Sequence, residues 1–275
     1  MSECDHNCES CNKECDAPRK EKTHALSDIK RVIAVMSGKG GVGKSAVTAL
    51  LATELSKQGY RCGILDADIT GASIPKMFGI GGGVSGDETG IFPAETPSGM
   101  KIISSNLLLE HETDPVIWRG PIIAGMVKQF WTDVIWGDVD YLLIDCPPGT
   151  GDVPLTVFQS IKVDGIVIVA SPQELVSMIV EKAVNMAGMM KVPMLGIVEN
   201  MSYARCPHCG ERINIFGSGK IEAVAQKFGL PILASIPIDG KIAEHADCGK
   251  IEKLDVDYLH AAADIIESGL PVKSC

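Results

Sequence analysis

The sequence predicts one α/β domain, a doubly wound and mostly parallel sheet with helices on both faces, preceded by a flexible cysteine-rich tail. From Arg31 onward, short β-branched and apolar runs alternate with longer helix-like stretches, a pattern typical of a parallel sheet wrapped by helices. The runs are almost continuously apolar, as in strands buried on both faces. Residues 1 to about 24 contain no Val, Ile, Leu or Phe, so they lack the side chains to form a core. We therefore divide the chain into a tail, 1–24, and a domain, 25–275.

Each element of this domain is predicted from its own segment of sequence. The strands are RVIAVMS (31–37), RCGILDA (61–67), MKIISS (100–105), YLLIDC (141–146), GIVIVAS (165–171), MLGIVEN (194–200) and ILASIP (232–237). The helices are 43–58, 120–136, 173–190, 218–228 and 256–268. The glycine-rich GIGGGVSG (79–86) is expected to be a mobile surface loop.

Composition and charge exclude several classes of function. The 275 residues are 45% hydrophobic and 22% charged, as in ordinary globular proteins, and the formal net charge is −10. A general nucleic-acid binder or an anionic-membrane binder would need a basic face. No apolar run approaches the length of a membrane-spanning helix, and the N-terminus has no apolar signal region. We expect a cytoplasmic protein that binds neither nucleic acid nor membrane.

The strongest motif is GKGGVGKS, which follows the first predicted strand and opens the first predicted helix. It fits the phosphate-binding loop of P-loop NTPases, whose glycines let backbone N–H groups surround phosphate at a helix N-terminus. Lys44 is expected to reach the β- and γ-phosphates of ATP, and the Ser45 hydroxyl to bind Mg²⁺. The predicted nucleotide-binding residues of this loop are Gly38, Lys39, Gly40, Gly41, Val42, Gly43, Lys44, Ser45 and Ala46.

Three aspartates follow the loop at the carboxyl ends of predicted strands. Asp66 and Asp68 end the second strand, and Asp145 ends the apolar run YLLID. Ligands of open α/β sheets bind at this edge. We expect Asp68 to orient the attacking water, and Asp66 and Asp145 to complete the Mg²⁺ shell. The sequence therefore predicts ATP hydrolysis.

Ten cysteines are many for such a chain. Because cytosol is reducing, clustered cysteines indicate metal binding or thiol chemistry rather than disulfides. One cluster is Cys4, Cys8, Cys11 and Cys15, whose close spacing suits an iron–sulfur cluster or zinc. A tail of free thiols and a set of transient ligands that pass metal on are the alternatives. The other cluster is Cys206 and Cys209, a Cys-x-x-Cys pair that can be a redox disulfide or half of a four-ligand metal site.

Several stretches together resemble the Mrp/ApbC family of ATPases that carry iron–sulfur clusters. They are the phosphate loop, DADITGASIPKMFGI (66–80), WRGP (118–121), DCPPGTGD (145–152) and ENMSYARCPHCG (199–210), and the resemblance covers roughly residues 30–268. It implies that Asn200 contacts adenine. The second lysine of the loop, Lys39, marks the deviant Walker A class shared with MinD and ParA, in which it reaches the partner's nucleotide across a dimer.

The resemblance also suggests where the other half of the cysteine site lies. Face-to-face dimerisation would bring two copies of Cys206 and Cys209 together, and four thiolates suit one [4Fe–4S] cluster. The implied partners are a second copy, cluster donors and apo iron–sulfur proteins. The chain departs from many relatives at Ala72 and Ala46, and its tail spacing differs from the wider gaps of the eukaryotic scaffold ATPases. The prediction that the tail cysteines bind metal therefore depends on their chemistry alone and not on the resemblance.

Other interpretations remain open at this stage. The CPHCG pair is also typical of a zinc knuckle, and a redox Cys-x-x-Cys is a further alternative. The whole chain could be a spatial organiser of the MinD or ParA type, which needs a membrane helix or a DNA-binding surface. It could also be a regulatory ATPase stabilised by zinc.

Overall fold

The structure is a computed structural model and describes residues 20–109, 120–172, 176–217 and 220–269. The tail cysteines and the Trp118–Arg119 part of WRGP lie outside these ranges. The described helices include none that is long and apolar enough to cross a membrane.

A mostly parallel sheet forms the centre of the domain. In chain order its strands are β1 (Asp28–Ser37), β2 (Cys62–Asp66), β5 (Ala94–Glu95), β6 (Lys101–Ile103), β7 (Asp138–Asp145), β8 (Gly165–Ala170), β9 (Met194–Glu199) and β12 (Ile232–Ser235). Two antiparallel hairpins lie outside it, β3 (Ser85–Asp87) with β4 (Gly90–Phe92), and β10 (Ala204–Arg205) with β11 (Arg212–Ile213). Across the described sheet the order is β12-β9-β8-β1-β7-β2-β6-β5, and only β5 runs antiparallel to its neighbour.

Helices cover both faces of this sheet. They are α1 (Lys44–Lys57), α2 (Ile74–Phe78), α3 (Gly120–Thr132), α4 (Asp152–Ser160), α5 (Val176–Met190), α6 (Lys220–Phe228), α7 (Gly240–Asp247) and α8 (His260–Gly269). Buried side chains of α3 to α6 pack in one core with alternate strand residues, whereas α1, α2 and α8 pack in a second core. The strands are apolar on both faces because each face carries one of these cores. The predicted fold class is confirmed.

Every predicted strand and helix is present, with ends that differ by a few residues. Sequence reasoning missed the short helices α2, α4 and α7 and the short hairpin strands. α4 contains Pro154 and two valines, which disfavour an isolated helix, but Val157 and Phe158 are fully buried. Tertiary packing therefore stabilises this helix where propensity does not. The glycine-rich stretch 79–86 is largely the exposed loop that was predicted, and β3 begins at its end.

The chain is already attached to the domain before the boundary expected at residue 24. The Glu21 backbone N–H donates to the Ser160 carbonyl at 2.8 Å, and the Trp131 indole donates to the Glu21 carbonyl at 3.0 Å. The His24 ring also lies 2.8 Å from the Thr89 carbonyl. Residues 20–24 therefore belong structurally with the domain.

Gly196 in β9 is a position where only glycine fits. Its φ is +152°, and a Cβ there would lie 2.5 Å from the Pro231 carbonyl oxygen. We expect Gly196→Ala to lower the free energy of unfolding by about 1–3 kcal/mol, because backbone atoms must move to admit the methyl group. Urea denaturation measures this change.

Gly188→Ala is the matched control for this substitution. Gly188 lies in α5 with nothing within 4 Å of its Cβ position, so alanine should leave stability unchanged or raise it by about 0.5–1 kcal/mol. Equal effects of the two substitutions would contradict the close approach at Gly196.

Candidate nucleotide site and cysteine hairpin

The predicted phosphate loop links the end of β1 to the start of α1 at the centre of the sheet. Gly41 and Gly43 have left-handed backbone conformations, with φ of +81° and +78°. At Gly43 a side chain is excluded for a second reason, because a Cβ would overlap the side-chain nitrogen of Asn200. The loop can therefore present backbone N–H groups to a phosphate at the α1 N-terminus.

Asp145, at the end of β7, holds the start of α1 in place. Its carboxylate accepts hydrogen bonds from Lys44 Nζ at 2.7 Å and from Ser45 Oγ at 2.5 Å. Thr48 Oγ1, one turn further along α1, also donates to it at 2.9 Å. Sequence reasoning missed Thr48, although its place four residues after Lys44 puts it on the same helix face.

The other two aspartates lie beside this network. Asp68 Oδ2 is 3.7 Å from Lys44 Nζ. Asp66 is fully buried, and its carboxylate accepts from Ser104 Oγ at 3.0 Å and from the Asp68 backbone N–H at 3.2 Å. The structure thus gives Asp66 a positioning contact with Asp68. Its place in a magnesium shell remains a prediction.

Burial and charge shift the pKa values of these groups in different directions. Burial lowers the pKa of Lys44, but the ion pair and hydrogen bond with Asp145 outweigh this effect, and the net direction is upward. Burial, followed by the charge of Asp145, raises the pKa of Asp66 to about 8. Burial also raises the pKa of Asp68, although Lys44 opposes that change. Burial thus disfavours the ionised form of Asp66, whereas Asp145 favours the charged form of Lys44.

Asn200 connects the end of β9 to the phosphate loop. Its side-chain amide donates to the Val42 carbonyl at 2.8 Å, and its backbone N–H donates to the Ala170 carbonyl at 2.8 Å. The side chain is almost fully buried against the loop. One edge of the sheet thus carries the loop, the three aspartates and Asn200, as the sequence predicted.

Lys39 is exposed in the loop, and its backbone carbonyl accepts from Ser37 Oγ at 3.1 Å.

Cys206 and Cys209 lie in the turn of the β10–β11 hairpin, which follows β9 at the same edge. The Cys206 backbone N–H donates to the Glu211 carbonyl, and the Gly210 N–H donates to the Cys206 carbonyl, both at 2.9 Å. Backbone N–H groups of Cys209 and then His208 donate to the Cys206 sulfur and lower the pKa of its thiol. Both cysteines are accessible, and their thiols are free.

The hairpin does not form a complete metal site with the other residues that the structure describes. In the described ranges no group of three or more His, Cys, Asp or Glu side chains is placed to bind a metal. Cys62 and Cys146 are buried, and burial raises the pKa of each thiol to about 12. Cys248 is exposed at the end of α7.

Three residues around the hairpin were missed by sequence reasoning. The buried ring of Tyr203 lies under two guanidinium groups, with Arg212 Cζ 4.4 Å and Arg205 Cζ 5.7 Å from the ring centroid. The sequence signal was available, because one arginine directly precedes Cys206 and the other lies three residues after Cys209. Their sharing of one ring depends on hairpin pairing and could not be read from the sequence.

Comparison with known proteins places these features in a family. The family model described as the NUBPL iron-transfer P-loop NTPase, of the ParA group, matches residues 28–268. Proteins named iron-sulfur cluster carrier protein are 46% identical in Clostridium perfringens and 45% identical in Methanocaldococcus jannaschii. Each of these alignments covers 90% of this chain and 90% of the relative.

Solved structures agree with the sequence relatives. A nucleotide-binding protein from Archaeoglobus fulgidus, in complex with ADP, is 49% identical, with a TM-score of 0.76 over 83% of this chain and 90% of that one. The cell division ATPase MinD of Pyrococcus furiosus is 22% identical, with a TM-score of 0.58 over 87% of this chain and 99% of that one, and it shares the fold. The chain belongs to the family of iron-transfer P-loop NTPases.

Proposed function

We propose that this protein is a cytoplasmic ATPase that carries [4Fe–4S] clusters and delivers them to apo iron–sulfur proteins. In this proposal, ATP binds at the phosphate loop. The cluster is the cargo, and Cys206 and Cys209 of two copies of the chain hold it between them. The names of the relatives and the description of the family support the carrier role.

The observation that carries the proposal is that the end of β9 contacts the phosphate loop and also leads directly into the cysteine hairpin. Asn200, at the end of β9, bonds to the Val42 carbonyl of the phosphate loop, and Cys206 follows only six residues later. Between them, the Ser202 and Tyr203 backbones bond to the segment after β12. A change at the nucleotide therefore has a short, hydrogen-bonded route to the cysteine hairpin.

ATP turnover would use the aspartates and the lysine as follows. Lys44 would stabilise charge on the β- and γ-phosphates, while Asp68, held by Asp66, would orient the attacking water. Asn200 would contact adenine, and Lys39 would reach the nucleotide of the second copy. Ser45 and Asp145 supply the hard oxygen donors that Mg²⁺ prefers, and both would hold the ion. Mg²⁺ would neutralise charge on the phosphates.

The cysteine hairpin would supply half of the cluster's ligands. Two accessible thiols in one turn, the first with a lowered pKa, are suited to bind iron as thiolates. A [4Fe–4S] cluster takes four, so a second copy would supply the rest. The tail cysteines lie outside the described residues, and we propose that they bind a separate iron–sulfur cluster or zinc.

The first prediction concerns ATP hydrolysis. Lys44→Ala should lower the turnover rate by about two to three orders of magnitude, because it removes the charge that stabilises the phosphates. Asp68→Asn should slow turnover by about 10²-fold and leave ATP binding nearly unchanged. Phosphate release measures turnover, and titration with a fluorescent ATP analogue measures binding.

Lys162→Ala is the control for charge, since this exposed lysine precedes β8 at the opposite edge of the sheet. Its turnover should equal that of the unaltered chain. Wild-type turnover in Lys44→Ala would contradict the assignment of the phosphate loop.

The second prediction concerns the cargo. In a full-length chain with Cys4, Cys8, Cys11 and Cys15 replaced by serine, anaerobic reconstitution with iron and sulfide should load about four iron atoms per dimer. Adding Cys206→Ser and Cys209→Ser should remove this iron and the cluster-dependent dimer, while ATP binding remains. Iron analysis, absorbance and native mass spectrometry measure these outcomes.

Cys248→Ser is the matched control, because Cys248 is also exposed but lies at the end of α7. It should keep the full iron content. A full cluster in the chain that lacks both hairpin cysteines would defeat the proposal, and stoichiometric zinc without sulfide would favour the zinc-binding ATPase.

A further inference from the structure

The base of the cysteine hairpin carries an uncommon arrangement of charge. Arg205 and Arg212 are directly opposite each other in the β10–β11 pair. Like charges in directly opposite positions destabilise a strand pair. Here both guanidinium groups share the ring of Tyr203, which offsets part of that cost through cation–π contacts. We call these three residues the arginine–tyrosine platform.

The platform is held firmly by the rest of the domain. Tyr203 is 4% exposed, and its carbonyl accepts a hydrogen bond from the Ile238 N–H at 2.7 Å. Its hydroxyl lies 3.4 Å from Arg205 Nη2. The buried ring therefore gives both guanidinium groups a common contact surface, although the two arginines are themselves exposed.

Neither guanidinium is neutralised by a carboxylate from the part of the chain that the structure describes. Among the described residues, Arg205 and Arg212 form no ion pair, although Asp and Glu outnumber Lys and Arg by 35 to 25 in the whole chain. By contrast, Arg61 at the opposite edge of the sheet pairs with both Asp138 and Asp140. Glu211 is the nearest acidic neighbour in sequence, and two arginines against this one glutamate leave the hairpin with a net positive charge. The platform is thus a cationic group with no ion-pair partner among the described residues, at the base of the hairpin whose turn carries Cys206 and Cys209.

A positively charged group of this kind favours a bound anion, and the cysteines of the same hairpin can supply one. Two cysteines become thiolates when they bind metal, and a [4Fe–4S] cluster held by four thiolates carries a net negative charge. Arg205 directly precedes Cys206 in the chain, and Arg212 faces Arg205 across the strand pair. Each copy would therefore place two positive charges at the base of the hairpin whose turn holds the cluster, and charges act over such distances without direct contact.

We propose that Arg205 and Arg212, fixed on Tyr203, are positioning residues that compensate the negative charge of the iron–sulfur cargo on Cys206 and Cys209. This inference rests on the proposed function. Positive charge stabilises the reduced cluster, which carries one more electron, more than the oxidised cluster. The platform therefore raises the reduction potential of the bound cluster and strengthens its retention.

The test is a redox titration of the reconstituted full-length chain in which the four tail cysteines are serine. Arg205→Gln with Arg212→Gln should lower the midpoint potential. The expected shift is about a tenfold change in the equilibrium between oxidised and reduced cluster, about 59 mV for one electron. Arg205→Lys with Arg212→Lys should stay within about threefold of the unaltered arginines, because the charge is kept and can still lie over the ring. Transfer of iron to a chelator should be faster only in the glutamine variant.

Lys30→Gln with Lys128→Gln is the matched control. It removes the same charge from two exposed lysines that form surface ion pairs away from the hairpin, and it should leave the potential unchanged. Arg212→Gln alone provides a milder variant with an intermediate shift if the double change impairs folding.

The outcomes separate this inference from the function on which it rests. A glutamine variant that binds a full cluster with an unchanged potential would overturn the role of the platform and leave the carrier function standing. An equal shift in the Lys30 and Lys128 control would also overturn it, because net charge rather than position would be responsible. Failure of the unaltered arginine chain to bind any cluster would overturn both.

Discussion

The buried carboxylate of Asp145 is the interaction on which the nucleotide site depends. It lies at the end of β7, between the strands that carry the phosphate loop and the Asp66–Asp68 pair. Burying a charge without partners costs free energy. The hydrogen bonds that Asp145 accepts from Lys44, Ser45 and Thr48 offset this cost. The start of α1 is thereby tied to the centre of the sheet. The same bonds place an ammonium group and a hydroxyl at the phosphate loop, where the proposed phosphate and Mg²⁺ chemistry would use them.

The parallel sheet brings the two sites to one edge. Because β1, β2, β7 and β9 run in the same direction, the residues that follow them meet at their carboxyl ends. Asn200 spans the gap between the phosphate loop and the strand that leads to the cysteine hairpin. The coupling that we propose between nucleotide and cargo would be reciprocal in binding free energy, and this short connection would be its physical route.

The hairpin departs from ordinary sequence preferences in a consistent way. It presents accessible thiols, and it pairs two arginines without a carboxylate partner among the described residues. Such departures concentrate at functional sites, where local stability is given up for chemistry. The buried ring of Tyr203 is what makes the arrangement tolerable, since it stacks with both cations and anchors them to the domain.

The class of fold, the phosphate loop, the three aspartates and the cysteine pair could be predicted from the amino-acid sequence, because each depends on local spacing and periodicity. Short helices such as α4 could not, since they form because their few apolar side chains pack into a core. The bonds from Asp145 to Lys44 and Ser45 could not be predicted either, nor could the bond from Asn200 to Val42, 158 residues away. The same holds for the two arginines that share one ring. These contacts follow from strand order, register and hairpin pairing, which long-range packing sets and no local pattern encodes.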